Sequence, residues 1–484
     1  MSSGDTTGLR ALHPDRLFPP DPAVRNIARD IYNHISDLPI ISPHGHTDPE
    51  WFATNAPFPN PTELLVIPDH YVLRMLYSQG VSMEALGVAP RDGGDFERDP
   101  RTVWRTFAEH FHLFAGTPSR LWWDHVLAEI FKAPVPLTPD NADSVYDIID
   151  AALKTEAFLP RALLDRFNIA LIATTEGALD DLRHHRDLKD TGFAHRVITT
   201  FRPDDVVDAD RPDFADNVAA LAALTDCDTR QWSGYLEALR IRRRYFRDVG
   251  RATATDHGHP SARTADLDAS TCQKLLSACL DGSASAEDRD LFRAQMLTEM
   301  AGMSVEDGMT MQIHPGSCRN HNPALHAAFG ADKGADIPMA AEYTRNLQPL
   351  LAKFGNHNDL TIILFTLDES VYSRELATLA GHYPCLTLGP PWWFHDSPNG
   401  MARFRDQVTE TAGFYNTAGF NDDTRAFLSI PARHDVARRM DAVFLANLVA
   451  EHRLDRVEAH TIARVLTVDL ARTAYRLDPL LTAS

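Results

Sequence analysis

Cysteine is scarce in this chain. Cys227, Cys272, Cys279, Cys318 and Cys385 are odd in number, scattered, and without C-x-x-C spacing. That argues against a disulfide framework and a thiolate metal site, and favours reduced cysteines in a cytosol. Long apolar runs are missing too. No uninterrupted stretch approaches membrane-spanning length, and MSSGDTTGLRALHPDRLFPPDP at the N-terminus has no apolar signal core. The expectation is a soluble, cytoplasmic protein without a membrane partner. Positive charge is in deficit: 47 Lys and Arg stand against 67 Asp and Glu, a formal charge of −20. An acidic balance repels nucleic acid and anionic lipid as main partners. It leaves room for an anionic substrate, because a few clustered arginines reverse the potential inside one pocket.

What is present is ordinary globular composition, 44% hydrophobic and 24% charged over 484 residues, ample for a large core. Residues 1 to about 22 read as a tail that settles on the surface. Asp21-Pro-Ala-Val-Arg-Asn-Ile begins a helix, with an N-cap aspartate and a first-turn proline. Leu38-Pro-Ile-Ile-Ser-Pro-His-Gly-His46 follows as a buried strand ending in two histidines. Residues two apart on an extended strand share a face, so His44 and His46 can converge on a divalent metal through neutral imidazole nitrogens.

From residue 50 to about 160 apolar residues recur at three and four spacing with no convincing strand. This reads as a helical insertion, with Trp104, Trp122 and Trp123 as core packing rather than a binding platform. Beyond it, strands alternate with helices: Asn168–Glu176, Arg196–Pro203, Arg251–Gly258, Met309–Gly316, Asp359–Asp368, Cys385–Phe394 and, weakest by propensity, Asn416–Asp423. Counting Leu38–His46, that makes eight. The expected fold is α/β, a (β/α)8 TIM-type barrel with a helical insertion between strands 1 and 2. Residues 23–49 and 161–480 would form the barrel, and 50–160 the insertion, contributing to the active site.

In such a barrel the active site lies where the strands end. The polar residues there are His44 and His46; Thr175 and Glu176; Arg202; Asp256 and His257; His314, with Arg319 and Asn320; Asp368; Trp392 and Trp393; and Asp422, Asp423 and Arg425. Random placement would not gather three histidine-bearing strand ends and a terminal aspartate on one face. Each has a plainer alternative. His257 stands in a turn-like Asp-His-Gly, where helix capping competes with ligation. His314 ends a strongly apolar run, where a solvated histidine is unnatural. One of Asp422 and Asp423 is expected to cap the next helix. His184, His185 and His195 lie in charged, loop-like sequence and read as solvated.

With these motifs the sequence resembles the uronate isomerases (glucuronate/galacturonate isomerases), a divergent branch of the amidohydrolase superfamily. The likeness is carried by Leu38–His46, Asp69-His-Tyr-Val-Leu-Arg74, Thr174-Thr-Glu176, Phe201-Arg-Pro-Asp204, Asp256-His-Gly258, Met311–Asn322, Trp392-Trp-Phe-His-Asp396, Asp422–Phe427 and Arg433-His434. These pieces span residues 20 to 480 in the family's order. The resemblance implies a divalent metal, usually zinc, among His44, His46 and Asp423; whether His314 and His257 ligate metal or touch substrate stays open. It implies His70 and Tyr71 reaching over the substrate from the insertion, Arg202 contacting it, Arg425 beside the strand-8 aspartate, and Trp392 or Trp393 in the pocket. The chain departs from the family pattern at Gly45, Pro315, the doubled acid Asp422–Asp423 and Ser429-Ile-Pro431.

The implied reaction is aldose–ketose interconversion of D-glucuronate or D-galacturonate with fructuronate or tagaturonate, by proton transfer through an enediol. It needs a base, a stabiliser of oxygen charge and a carboxylate anchor. Arginine suits the anchor because its planar fork binds carboxylate bidentately; Arg202 and Arg425 are the candidates, with Arg74 and Arg319 beside them. Asp423 is the candidate base, although a carboxylate bound to a dication is poorly basic, so Tyr71 is a second proton carrier. The expected partner is a small sugar acid, and a homo-oligomer stays open. The alternatives are a mononuclear metal-dependent hydrolase or deaminase of the same superfamily, and a sugar-acid-binding protein without turnover.

Overall fold

The computed structural model describes residues 12–481. Of the expected tail, residues 1–11 lie outside the described residues. Its remainder is held to the surface, where Arg16 Nη2 lies 2.6 Å from Asp435 Oδ2. Helix α1 (Pro22–Ile35) starts where the sequence signals, with the Asp21 carboxylate accepting from the N–H groups of Ala23 and Val24 at 2.9 Å.

The body is a curled parallel sheet of seven strands, consistent with a TIM-like barrel. They are β1 (Ile40–Ser42), β2 (Ile169–Gly177), β3 (Val197–Arg202), β4 (Ala254–His257), β5 (Thr310–Ile313), β6 (Ile362–Leu364) and β7 (Leu386–Leu388), paired in chain order. Each falls within a run identified in the sequence. Alternation separates two cores. Met311, Ile313, Ile362 and Leu364 pack outward against helices. Ile41, Leu171, Ala173, Ile198, Ala254 and Ile363 pack together in another cluster with Phe365 and Trp392.

The eighth strand is corrected. Residues 416–423 supply one parallel bridge, Thr417 to Leu388, rather than a ladder. A left-handed Gly419 (φ +75°) interrupts the extended backbone, and buried Asn421 donates to the Tyr475 hydroxyl at 3.0 Å. The segment still meets the other sheet edge, because the His46 N–H donates to the Thr424 carbonyl at 3.0 Å.

Between β1 and β2 the described elements are all helical, including α2 (His70–Tyr77). Trp104, Trp122 and Trp123 are buried there, and the Trp104 indole donates to the Ala142 carbonyl at 2.9 Å. Helices used below are α3 (Arg183–Leu188), α4 (Glu369–Ala380) and α5 (Ile430–Ala450). After β5 a loop folds back through a two-residue antiparallel ribbon, Ser317–Cys318 against Ile337–Pro338, which the sequence did not signal. Among the described residues no helix is long and apolar enough to cross a membrane.

Candidate active site

Four side chains from three separate stretches meet at the C-terminal ends of the strands. His44 Nε2 lies 3.4 Å and His46 Nε2 3.1 Å from Asp423 Oδ1, and His314 Nε2 lies 4.0 Å from Asp423 Oδ2. Two of the imidazoles are held from behind. His314 Nδ1 lies 2.7 Å from Asp256 Oδ1, and His44 Nδ1 lies 3.3 Å from Gln312 Nε2. The Asp256 carboxylate accepts from His314 Nδ1–H and turns that Nε2 toward the common centre, as a carboxylate does for metal-binding histidines, whereas the Gln312 amide donates to His44. His314 Nε2 is buried without a hydrogen-bond partner.

The electrostatics agree with a cation-type cradle. Burial pushes the His44 and His46 imidazoles below their ordinary range, against the opposing pull of Asp423. Burial alone would raise Asp423, but His44, His46 and His314 outweigh it and hold the carboxyl well below the usual range. Burial likewise opposes ionisation of Asp256, and Arg202 with His314 overrides it.

Above this centre is a cavity of about 420 Å³, within the range of small-molecule sites. Its walls are rich in arginine. Arg202 reaches Asp256 Oδ2 at 3.1 Å and Asp204 Oδ2 at 2.8 Å. Arg425 lies 3.4 Å from Asp332, and Arg319 lies 3.5 Å from Asp336 while its guanidinium stands 5.5 Å over Trp393. Arg74 stacks 5.1 Å over Phe394, and its buried Nε has no hydrogen-bond partner. From α2, His70 stacks on Tyr71 at 4.5 Å. Burial pushes His70 down to about 3 and drives the Tyr71 phenol up beyond its ordinary range. Trp392 stands edge-on to His314 at 4.7 Å and closes the floor.

The structure thus gathers His44, His46, His314, Asp423, Arg202, Arg425, Arg319, Arg74, His70, Tyr71, Trp392 and Trp393 around one cavity. It does not bring His257 there. On β4 the neighbouring Asp256 faces His314, so alternation turns His257 away, where Nε2 meets Thr255 Oγ1 at 3.0 Å. The same rule removes Glu176, which is buried against the hydroxyls of Thr174 and Thr199, while Thr175 faces the cavity. Asp368 caps α4, accepting from the Ser370 N–H at 3.0 Å. Neither Asp422 nor Asp423 caps a helix: Asp422 is buried 3.1 Å from His434 Nε2 on α5. His185, expected to be solvated, is buried on α3 with Nε2 at 3.0 Å from Thr174 Oγ1. Asp332 and Asp336 carried no sequence signal; the loop after β5 delivers them to Arg425 and Arg319.

Fold and site together define a barrel-type enzyme with a candidate metal centre beneath a wall rich in arginine. The glucuronate isomerase family model matches residues 23–470. The chain is 60% identical to a uronate isomerase of Mesorhizobium japonicum over 464 residues, 96% of this chain and 99% of that one. It superposes on the solved glucuronate isomerase of Caulobacter crescentus with a TM-score of 0.94 at 58% identity, covering 97% of each chain. It shares the fold of a Thermotoga maritima uronate isomerase, with a TM-score of 0.89 at 24% identity over 96% of this chain and 100% of that one. The chain belongs to the uronate isomerase family, whose members are aldose–ketose isomerases.

Proposed function

We propose that this cavity isomerises D-glucuronate and D-galacturonate to the corresponding ketouronates, with the sugar carboxylate held by arginine and the reacting carbons above Asp423. The observation that carries this reading is the approach of His44, His46 and His314 to Asp423 under an arginine-lined cavity. Three imidazoles and a carboxylate, with buried donor atoms left unpaired, fit a divalent cation such as Zn2+. When bound, such an ion supplies Lewis-acid polarisation of substrate oxygens.

The chain's own residues do the rest. Arg202 and Arg425 anchor the carboxylate bidentately, and Arg319 and Arg74 add positive potential on the same walls. His70 and Tyr71 reach over the sugar from α2, with Tyr71 holding its proton at the phenol oxygen and able to donate to a developing alkoxide. Asp423 takes the proton from the substrate carbon at a carboxylate oxygen. Its surroundings make it a weak base, so the positive charge around the enediolate must supply much of the driving force. Trp392 and Trp393 exclude water from the floor.

Residues 416–424, which touch both sheet edges, serve as the eighth stave that closes the barrel. Residues 50–160 act as an inserted helical unit that lends α2 to the site. The test is to incubate purified protein with each uronate and follow ketose formation, with and without chelator and with Zn2+ restored. Ketose formation that chelator abolishes and Zn2+ restores is expected. Undiminished turnover in protein shown to be metal-free would refute the metal assignment.

A further inference from the structure

Arg202 joins the catalytic cluster to a second group of metal-type donors. Its Nη1 lies 3.1 Å from Asp256 Oδ2, and its Nε lies 2.8 Å from Asp204 Oδ2. Asp204, immediately beyond β3, faces His257 at the end of β4 and His259 two residues on. Each offers one ligand atom, and these atoms lie within 4.8 Å of one another. Both histidines are buried, with rings 6.0 Å apart and nearly perpendicular. His257 Nδ1 and His259 Nε2 have no hydrogen-bond partner. Thr255 Oγ1, 3.0 Å from His257 Nε2, can accept a hydrogen bond from Nε2–H and leave the Nδ1 lone pair free. Asp204 Oδ2 accepts from Arg202 and from the Gly258 N–H at 3.1 Å; Oδ1 accepts more weakly from the same N–H at 3.4 Å and stands 4.0 Å from His259 Nε2.

Two buried, unpartnered imidazole nitrogens carry a desolvation cost unless something satisfies them. Two nitrogens and one carboxylate oxygen suit Zn2+, Co2+ or Ni2+ rather than Ca2+ or Mg2+, and leave a coordination position for water. Donors bonded to a tetrahedral ion at about 2.0–2.2 Å lie on the order of 3.4 Å apart, so closure from separations within 4.8 Å needs each donor to move by up to about 0.7 Å. Asp204 lines the active-site cavity, which provides an entry path. We infer that Asp204, His257 and His259 form a second divalent transition-metal site, separate from the His44–His46–His314–Asp423 centre. It does not depend on the roles proposed above. Occupancy engages Asp204 and weakens its hold on Arg202.

The test uses full-length protein, stripped of metal and titrated with Co2+ alone while its d–d absorption is followed. Zn2+ bound after dialysis is counted by mass spectrometry. Wild type should take up about two equivalents per chain, and His259→Gln and Asp204→Asn about one each. Asp423→Asn should lose the other equivalent, which separates failure of this inference from failure of the catalytic assignment. Metal uptake by His259→Gln and Asp204→Asn equal to that of wild type overturns the inference, whether wild type binds one equivalent or two. If His259→Gln does not fold, Asp204→Asn decides.

Discussion

Replacing Arg202 by methionine separates two jobs that one guanidinium performs. In the free enzyme it neutralises Asp256, whose side chain is 2% exposed, and Asp204. In the complex it is proposed to bind the substrate carboxylate. Removing one member of a buried ion pair costs about 3–5 kcal/mol, because a buried charge is left unpaired. The Arg202 side chain is 24% exposed, so solvent screening places the loss near 3. Unfolding entropy of ~2.1 cal/mol/K per residue comes to about 1 kcal/mol/K for this chain, so Tm should fall by about 3 °C. Charge-assisted hydrogen bonds to the uronate are worth about 1.5–3 kcal/mol, so KM for uronate should rise roughly 10- to 150-fold. Arg202→Met/Asp204→Asn removes one of the unpaired carboxylates and should recover part of the Tm without recovering KM. Calorimetry and steady-state ketose assays read the two effects separately. A KM within twofold of wild type in Arg202→Met, or restored by the double variant, would refute the anchor.

Three further outcomes are expected. Asp423→Asn should keep its circular-dichroism spectrum while losing bound metal and orders of magnitude in turnover; near-normal turnover would remove Asp423 from the mechanism. Glu176 is pushed up to about 8 by burial, from a model-compound value of 4.5. The folded chain therefore keeps a proton there that the unfolded chain releases, and stability drains away as pH rises from 4.5 to 8, at up to about 1.4 kcal/mol per pH unit. Glu176→Gln lacks this term, so Tm–pH curves of variant and wild type should diverge toward pH 8, and parallel curves would contradict the buried neutral acid. At Gly334 (φ +75°) a Cβ would stand 2.6 Å from Arg74 Cβ and 2.7 Å from the His70 carbonyl. Gly334→Ala should cost about 1–3 kcal/mol and raise KM by displacing α2, and an unchanged Tm and KM would show that the loop seats loosely.

How far the fold can be read from the sequence depends on where each signal resides. β2 was legible because Ile169-Ala-Leu-Ile-Ala is apolar on both faces, as a strand packed on both sides must be. Residues 416–423 were not a regular strand because Gly419 breaks the extended path, and contacts at Thr417 and Thr424 hold the segment beside the edge strands. Those contacts are tertiary and leave no periodicity behind. The ribbon at Ser317–Cys318 escaped for a similar reason, since two-residue pairings carry almost no propensity.

The site was legible at the level of strand ends and ambiguous at the level of single residues. Alternation reverses the facing of each successive side chain, so an error of one position exchanges a ligand for a packing residue. Asp256–His257 shows this. Both residues end β4, yet Asp256 turns to His314 while His257 turns to the Asp204 side, and the largely polar Ala254-Thr-Asp-His257 does not say which. The same uncertainty separates Asp422, bonded to His434, from Asp423, which meets the His44 and His46 imidazoles. What settles each pair is a buried partner distant in sequence: Arg202 for Asp256, α5 for Asp422, β1 for Asp423. Acidic partners of the cavity arginines are harder still to foresee. Asp332 and Asp336 occupy a loop whose placement depends on Gly334 fitting against α2. A pocket for an anionic sugar therefore carries carboxylates of its own, and the substrate must displace or share them to reach the guanidinium groups. That competition favours ligands whose carboxylate can engage two arginines at once over those offering a single oxygen.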